Sequence, residues 1–288
     1  QFDDPENTGD LVKNLSHLIA KNQIEQFEYM LPDEYRLDAQ LKSFADSAQV
    51  PVIACDSEHF LTERSELENF FAGKKQYLME SFYRMMRKKW KVLMEGADPA
   101  GGQWNFDHDN RQKMDADVRL PPKSVVHSDV SVVYKRIQDA GIESFGKIKP
   151  EEFMWPLNRA QALKVLEEFI AFRLPLFGTY QDAMTDRDAF LFHSRISFAL
   201  NVKLLHPLEV ITKCVDDFHK NPGRVSMNQL EGFVRQILGW REYMRGIYWM
   251  KMPGYANLNF FNHNRSLPDW FWNGETKMKC LQHSIGQS

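Results

Sequence analysis

The chain has 288 residues, of which 43% are hydrophobic and 26% are charged, a composition that excludes a disordered or fibrous protein and predicts one large core or two moderate ones. Its formal net charge of −3 excludes a polybasic protein, so any contact with nucleic acid has to come from a local basic patch. Three widely separated cysteines exclude a disulfide framework or a CxxC zinc site within the chain, and no run approaches the roughly 20 apolar residues of a membrane span, so we expect no membrane contact.

Helical and strand patterns alternate over the first sixty residues. Helical spacing predicts a helix over Leu11–Lys21, and the next apolar run predicts a strand over Ile24–Met30. A Pro-Asp-Glu run at 32–34 suits the start of a second helix. The nearly all-apolar run Val50–Cys55 predicts a strand buried in a parallel sheet. This order predicts the end of an α/β domain whose beginning lies outside the chain.

A long amphipathic helix is predicted over Tyr77–Met94, and its basic residues lie close together. A basic run of this kind is most often a solvated helix face. Several cations on one rigid element can also bind a phosphate backbone, with affinity that falls as salt rises. On this second interpretation, Arg87 and Lys88 are the predicted nucleic-acid contacts.

Helical patterns dominate the remainder of the chain. The glycine-rich loop Gly101–Asp107 lacks the spacing of the known phosphate-binding glycine motifs and leads into a connector that ends near Pro122. Further helices are predicted over Arg159–Phe172, Ala189–Leu204, Pro207–His219, Ser226–Leu238 and Thr276–Ser284. We therefore predict a mainly α protein with three regions: an α/β part at 1–62, a helical interdomain region and connector at 63–150, and an all-helical domain at 151–288.

The segment Glu231–Trp249 has apolar residues at three- and four-residue steps, with charged residues close beside them. Gln236 and Trp240 are one helical turn apart, so both are predicted to point into one cavity, while Arg241 and Glu242 are predicted to face away as structural residues. Taken alone, the segment is better explained by a buried helix with an incidental aromatic residue and surface ion pairs.

A second candidate site lies at His193–Ser197, which reads His-Ser-Arg-Ile-Ser. Hydroxyl groups, a guanidinium and free backbone N–H groups at the start of a helix are the chemistry that a pyrophosphate requires. The alternative is that Ser194 and Ser197 only cap a helix and that Arg195 is exposed.

Three stretches of the chain resemble the photolyase/cryptochrome flavoproteins. The run Trp-Arg-Glu-Tyr at 240–243 resembles their Trp-Arg-Glu-Phe/Tyr helix, which forms the floor of the pocket for the flavin and the DNA lesion. Tyr180 followed by His193–Ser197 resembles their FAD-binding signature, a tyrosine followed by Thr-Ser-Arg-Leu-Ser, with His193 in place of the first threonine. Residues 73–94 and 101–111 are similar to the interdomain region of the prokaryotic iron-sulfur subgroup, which includes (6-4) photolyases.

This resemblance implies a fold, cofactors and an activity. It implies an all-helical FAD-binding photolyase-like domain preceded by the tail of a Rossmann-like antenna domain. It also implies light-driven repair of (6-4) pyrimidine photoproducts in UV-damaged DNA by electron transfer from reduced FAD, a carbon-carbon lyase activity, in a monomer of the bacterial cytoplasm. A blue-light sensor without repair activity is the alternative, and a helical binding module without a cofactor is the third. The FAD-binding positions implied are Tyr180, His193, Ser194, Arg195, Ile196, Ser197, Gln236 and Trp240. Of these, Gln236 and Trp240 would contact the flavin or the damaged bases.

The subgroup resemblance also assigns roles to Trp272 and Cys280. Cys280 matches the first of four cysteine ligands of a 4Fe-4S cluster, and Trp272 matches a tryptophan that passes electrons to the flavin. Four thiolates hold such a cluster, whereas this chain has three cysteines in all. We therefore expect the cluster, and a 6,7-dimethyl-8-ribityllumazine antenna, in the intact protein and not in this chain.

Overall fold

A computed structural model describes residues 4–123, 126–144, 146 and 148–286, and these residues are mainly helical. The α-helices are α1 Leu11–Lys21, α2 Tyr35–Ser47, α3 Glu66–Phe70, α4 Met79–Trp90, α5 Ser131–Asp139, α6 Arg159–Phe172, α7 Phe177–Tyr180, α8 Ser197–Asn201, α9 Pro207–Lys220, α10 Met227–Val234, α11 Glu242–Lys251, α12 Trp270–Asn273 and α13 Lys279–Gly286. A π-helical segment, Arg235–Arg241, joins α10 directly to α11. The strands are β1 Phe27–Met30, β2 Val52–Cys55, β3 Met94–Glu95 and β4 Asp98–Pro99.

The chain divides into two compact units. The first comprises residues 1–126 and 154–252, and the second comprises residues 127–153 and 253–288. The first contains both sheets and the main core, whereas the second contains α5, α12 and α13. The three sequence regions proposed above remain predictions. None of the helices in the described residues combines the length and apolarity that crossing a membrane requires.

The first part of the chain has the predicted order of helix, strand, helix and strand. The carboxylate of Asp10 accepts from the Lys13 N–H at the start of α1, and Glu34 caps α2 in the same way. Strands β1 and β2 pair in parallel, with Phe27 opposite Val52. The predicted burial of β2 is wrong, since Ile53 on this strand is 41% exposed. A buried parallel strand needs neighbours and cover on both faces, and in the described residues β2 pairs with β1 alone.

The predicted helix over Ala189–Leu204 is also wrong for its first half, because only Ser197–Asn201 is helical. The Asp188 carboxylate accepts from the N–H groups of two following residues, both at 2.7 Å, and so forms a turn in place of a helix. Leu191 and Arg195 then adopt positive φ angles of 45° and 57°. These left-handed conformations interrupt the helical path before the chain enters α8.

The core of the first unit forms where α4, α6, α9, α10 and the π-helical segment meet. Its fully buried side chains include Phe82, Tyr83, Leu166, Phe169 and Phe233. Phe169 packs against Phe233 with ring centres 4.5 Å apart. Aromatic contacts of this kind add to the hydrophobic free energy of burial.

Two glycines admit the side chain of Asn110 between α7 and α10. Asn110 is 3% exposed, and its Nδ2 donates to the carbonyl oxygen of Asn228 at 3.1 Å. A Cβ atom at Gly178 would lie 2.6 Å from Asn110 Oδ1, and one at Gly232 would lie 3.0 Å from Asn110 Nδ2. Close approach to a buried amide therefore requires glycine at both positions.

Replacing Gly178 with alanine should lower the free energy of unfolding by about 1–3 kcal/mol, the usual cost of overpacking a filled interior. Chemical denaturation monitored by circular dichroism would measure the change. Gly254 is the matched control, because an added Cβ there meets no atom within 4 Å. Equal midpoints for the Gly178→Ala and Gly254→Ala variants would contradict the packing described for Asn110.

Candidate functional site

A cavity of about 530 Å³ opens on the helical part of the first unit. This volume lies within the range of about 300–1,000 Å³ typical of small-molecule sites. The loop before α8 and the π-helical segment form most of its wall. The lining residues are Trp155, Phe177, His193, Ser194, Arg195, Ile196, Ser197, Leu200, Asn201, Phe233, Gln236, Ile237 and Arg241.

The structure brings together most of the residues that the sequence assigned to one site. His193–Ser197 and Gln236 all line the cavity. Tyr180 and Trp240 are not among its described lining residues. Tyr180 stacks on Phe192 instead, with ring centres 5.4 Å apart and an angle of 30° between the planes. Trp240 is 42% exposed, and its ring packs edge-on against Tyr243.

The π-helical segment carries Gln236, Trp240 and Arg241, and only Gln236 and Arg241 are among the described lining residues of the cavity. The α-helical spacing had paired Gln236 with Trp240. The prediction that Arg241 faces away is therefore wrong, because Arg241 lines the cavity. A π-helix repeats its hydrogen bond between residues i and i+5 and so has a wider turn than the α-helix that the prediction assumed. Short π-helical turns occur frequently at functional sites, and no sequence signal marked this one.

Arg195 lines the cavity with a strained backbone conformation and with a buried side-chain donor that lacks a partner among the described residues. Its φ angle is 57°, a left-handed conformation that costs free energy in a residue other than glycine. Its guanidinium lies 4.1 Å from the centre of the Phe190 ring, and its buried Nε has no hydrogen-bond partner among the described residues. Burial lowers the pKa of Arg195, and the charge of Arg173 adds to this effect. A guanidinium with an unused buried donor is suited to an anionic ligand.

The charged side chains among the described lining residues of the cavity are all positive. Arg195 and Arg241 contribute two guanidinium groups, and no aspartate or glutamate is found among the described lining residues. Ser194 and Ser197 add hydroxyl groups, while Phe177 and Phe233 supply an apolar wall. Cationic and hydroxyl side chains together with an apolar wall are the chemistry that suits a ligand with an anionic group and a flat aromatic ring system, and the diphosphate and isoalloxazine of FAD fit this description.

A buried ion cluster supports the helix behind the cavity. Glu231 is fully buried, and Arg235 Nε lies 3.3 Å from its Oε1. A second nitrogen of Arg235 binds the carboxylate of Asp107, and Glu231 Oε2 accepts from the Phe106 N–H at 3.1 Å. Burial raises the pKa of Glu231, whereas the bond from Arg235 lowers the pKa of Asp107. The cluster joins the loop at 106–107 to α10 and the π-helical segment.

Arg87 is buried, so its predicted contact with nucleic acid is wrong. The residue has no exposed surface, and its guanidinium donates to main-chain carbonyl oxygens of Val92, Leu93 and Trp104. It therefore closes the turn after α4, a role that no spacing rule reveals. Lys88 is exposed, with its Nζ 5.3 Å from the ring centre of Trp104, and remains a candidate for phosphate contact.

Trp272 and Cys280 both lie in the second unit. Trp272 is 55% exposed, and its ring centre lies 5.3 Å from that of Phe271. Cys280 is exposed on α13. In the part of the chain that the structure describes, no group of three or more His, Cys, Asp or Glu side chains could hold a metal ion. These residues alone do not fit a four-iron cluster, and the role of Trp272 remains a prediction.

Comparison with known proteins gives the class of the fold. The chain is similar to a bacterial class III photolyase from Agrobacterium tumefaciens, with a TM-score of 0.61 and 17% identity over 97% of this chain and 53% of the solved chain. It is 37% identical over its full length to a (6-4) photolyase of Agrobacterium fabrum (strain C58 / ATCC 33970). An uncharacterized protein of Acanthamoeba polyphaga mimivirus is 36% identical over 109 residues, 38% of this chain and 82% of that protein. The fold is therefore that of a photolyase.

The family of the chain is shown by a match that covers its N-terminal half. Residues 1–153 match the model of the deoxyribodipyrimidine photo-lyase-related proteins. The chain belongs to this family, as the resemblance in its sequence predicted. It spans 56% of the length of the Agrobacterium fabrum relative.

Proposed function

We propose that this chain carries the FAD site of a light-driven DNA repair protein that acts on (6-4) pyrimidine photoproducts. The observation that carries the proposal is the cavity lined by Arg195 and Arg241, without an acidic side chain among its described residues. The (6-4) photolyase that is 37% identical to the chain supports the choice of lesion. The resemblance further supports a monomer in the bacterial cytoplasm.

Several polar residues of the cavity have a proposed part in holding the cofactor. Ser194, Ser197 and the two guanidinium groups would bind the diphosphate, because charged and hydroxyl donors match its oxygens. The amide of Gln236, whose Nε2 donates to the Gly232 carbonyl oxygen at 3.0 Å, leaves its own oxygen available to the flavin edge or a base. His193 would complete the same wall.

Trp240 is proposed to contact DNA, not the flavin. Its ring is exposed and lies outside the cavity lining, so it offers a flat surface on which an extruded base can stack. Lys88 is proposed as a phosphate contact because it is exposed on α4. We retain Trp272 as a proposed member of the electron route.

Bound FAD supplies the light-driven electron chemistry. The chain's own residues would hold and orient the cofactor, and the apolar wall formed by Phe177, Phe233 and Ile237 would limit the access of water to it. The lumazine antenna and the iron-sulfur cluster, with Cys280 as one ligand, are assigned only to a longer protein.

The experiment that tests the function is repair of an oligonucleotide with a defined (6-4) lesion under blue light, after loading the chain with FAD. Trp240→Ala should lower lesion affinity about tenfold, since stacking of one base is worth about 1–3 kcal/mol. Gln236→Ala should also slow repair. The flavin content of the Trp240→Ala variant should match that of the unchanged chain, which serves as its control.

Two other results would reject the repair function. Photoreduction of bound flavin without repair would favour the blue-light sensor. A chain that takes up no FAD would leave the cavity without its proposed ligand.

A further inference from the structure

The loop that follows β2 contributes contacts that hold the guanidinium of Arg241 in place. Its Nη2 lies 2.9 Å from His59 Nε2, and its Nη1 donates to the His59 carbonyl oxygen at 3.2 Å. Nη1 also donates to Glu242 Oε1 at 3.2 Å. The guanidinium carbon lies 3.9 Å from the centre of the Phe60 ring. Because the side chain of Arg241 is only 14% exposed, these neighbours determine its position.

The contact between Arg241 and His59 fixes the state of the imidazole. An arginine side chain only donates hydrogen bonds, so His59 Nε2 has to accept. The ring is then neutral and carries its proton on Nδ1. A protonated ring would place an N–H group against an N–H group of Arg241 and would break the contact.

The surroundings favour the neutral ring. Burial, followed by the charge of Arg241, lowers the pKa of His59 to about 4. Lys203 and His206 also lower this pKa, whereas Asp33 raises it, and Asp33 is paired with Lys203 at 3.6 Å. The folded-state pKa lies below the usual value near 6.5, so the stability that the neutral ring contributes is fully present above about pH 6.5, and the contact itself is lost only as the pH falls through about 4.

Arg241 retains donors for a ligand. A guanidinium has five N–H groups, and the contacts to His59 and Glu242 use the two on Nη1 and one on Nη2. The second hydrogen of Nη2 and the Nε–H have no acceptor among the residues that the structure describes. Arg241 lines the cavity, so these two donors are available to an anion bound there.

We propose that His59 is a positioning residue: it holds the Arg241 guanidinium in the orientation that binds the diphosphate of a dinucleotide in the cavity. His59 itself is absent from the described lining of the cavity, so it acts through Arg241 alone. This inference rests on the proposed function, with FAD as the dinucleotide.

The test is the dissociation constant of FAD, measured by titrating the chain and following flavin fluorescence. His59→Leu removes the acceptor and should weaken FAD binding about tenfold, the value of one hydrogen bond to a charged group. His59→Gln places an amide oxygen near the position of Nε2 and should restore the affinity to within about threefold. In an Arg241→Met background, His59→Leu should have little further effect, because the two residues act as one unit.

The matched control is His206→Leu, which removes a histidine from the same region. His206 Nε2 contacts the Glu58 carbonyl oxygen at 2.7 Å, and its Nδ1 accepts from the Leu208 N–H, so this variant should lose stability but bind FAD as before. An unchanged dissociation constant for His59→Leu, or an equal loss for His59→Leu and His59→Gln, would overturn the positioning role alone. Failure of the unchanged chain to bind FAD would overturn the proposed function as well.

Should His59→Leu not fold, the comparison of His59→Gln with the unchanged chain between about pH 7 and pH 3.5 decides the matter. FAD affinity should fall in the unchanged chain as the pH passes below about 4, where the imidazole gains a proton, and this step should be missing in the glutamine variant, whose amide at position 59 does not titrate. Parallel profiles would overturn the proposal.

Discussion

Replacing Arg235 with methionine is expected to lower the free energy of unfolding by about 3–5 kcal/mol, the cost of leaving a buried charge without its partner. Arg235 binds both Glu231 and Asp107, and its own side chain is only 5% exposed. Glu231 is fully buried, and burial already raises its pKa. Without Arg235, its carboxylate has to take up a proton or remain charged in the interior, and both outcomes cost stability. Urea denaturation would measure the change.

Arg84→Met is the matched control for this prediction. Arg84 forms an ion pair with Glu80 at 3.1 Å, but its side chain is 47% exposed, so its loss should cost less than about 1 kcal/mol. The double variant Glu231→Gln, Arg235→Met removes both charges and should recover more than half of the loss. Equal destabilisation by Arg84→Met and Arg235→Met would contradict the importance given to the buried cluster.

Replacing Ser194 and Arg195 together with alanine is expected to weaken FAD binding about 100-fold. The estimate combines two hydrogen bonds to a charged diphosphate, each worth about 1.5 kcal/mol or more, with the tenfold change that accompanies about 1.4 kcal/mol. Arg195 contributes most, because its buried Nε has no other partner among the described residues. Flavin retained after gel filtration and the dissociation constant from titration would measure the effect.

Arg159→Ala controls for the loss of one positive charge. Arg159 binds Glu209 at 2.7 Å on the surface, its side chain is 56% exposed, and it is not part of the cavity. This variant should bind FAD as the unchanged chain does. Unaltered flavin stoichiometry in the Ser194→Ala, Arg195→Ala variant would remove these residues from the diphosphate site.

Much of the helical framework could be predicted because its signals are local. The start of α6 at Arg159 follows an asparagine whose side chain accepts from the Gln161 N–H, and α9 begins with Pro207 at its first position. The first half of Ala189–Leu204 was misread because its apolar spacing is helical, whereas the turn at Asp188 and the positive φ angles depend on contacts that the spacing does not show.

Part of the candidate site was also predictable, because its residues are close together in the sequence. His193–Ser197 is one short segment, so its residues necessarily remain together, and Gln236 lines the same cavity. The α-helical spacing assumed for residues 235–241 did not predict the π-helical segment, and with it the place of Arg241 at the cavity was missed. The burial of Arg87 follows from carbonyl groups that belong to a later loop. The role of His59 depends on a contact between residues 182 positions apart.

A crystal structure of the chain with bound FAD would test the central claim most directly. We predict electron density for the dinucleotide in the cavity, with its diphosphate within hydrogen-bond distance of Arg195 and Arg241 and with Trp240 outside the flavin contacts. Density for FAD at another place, such as the cleft lined by Phe60 and Trp90, would contradict the account, as would a cavity that stays empty at saturating FAD.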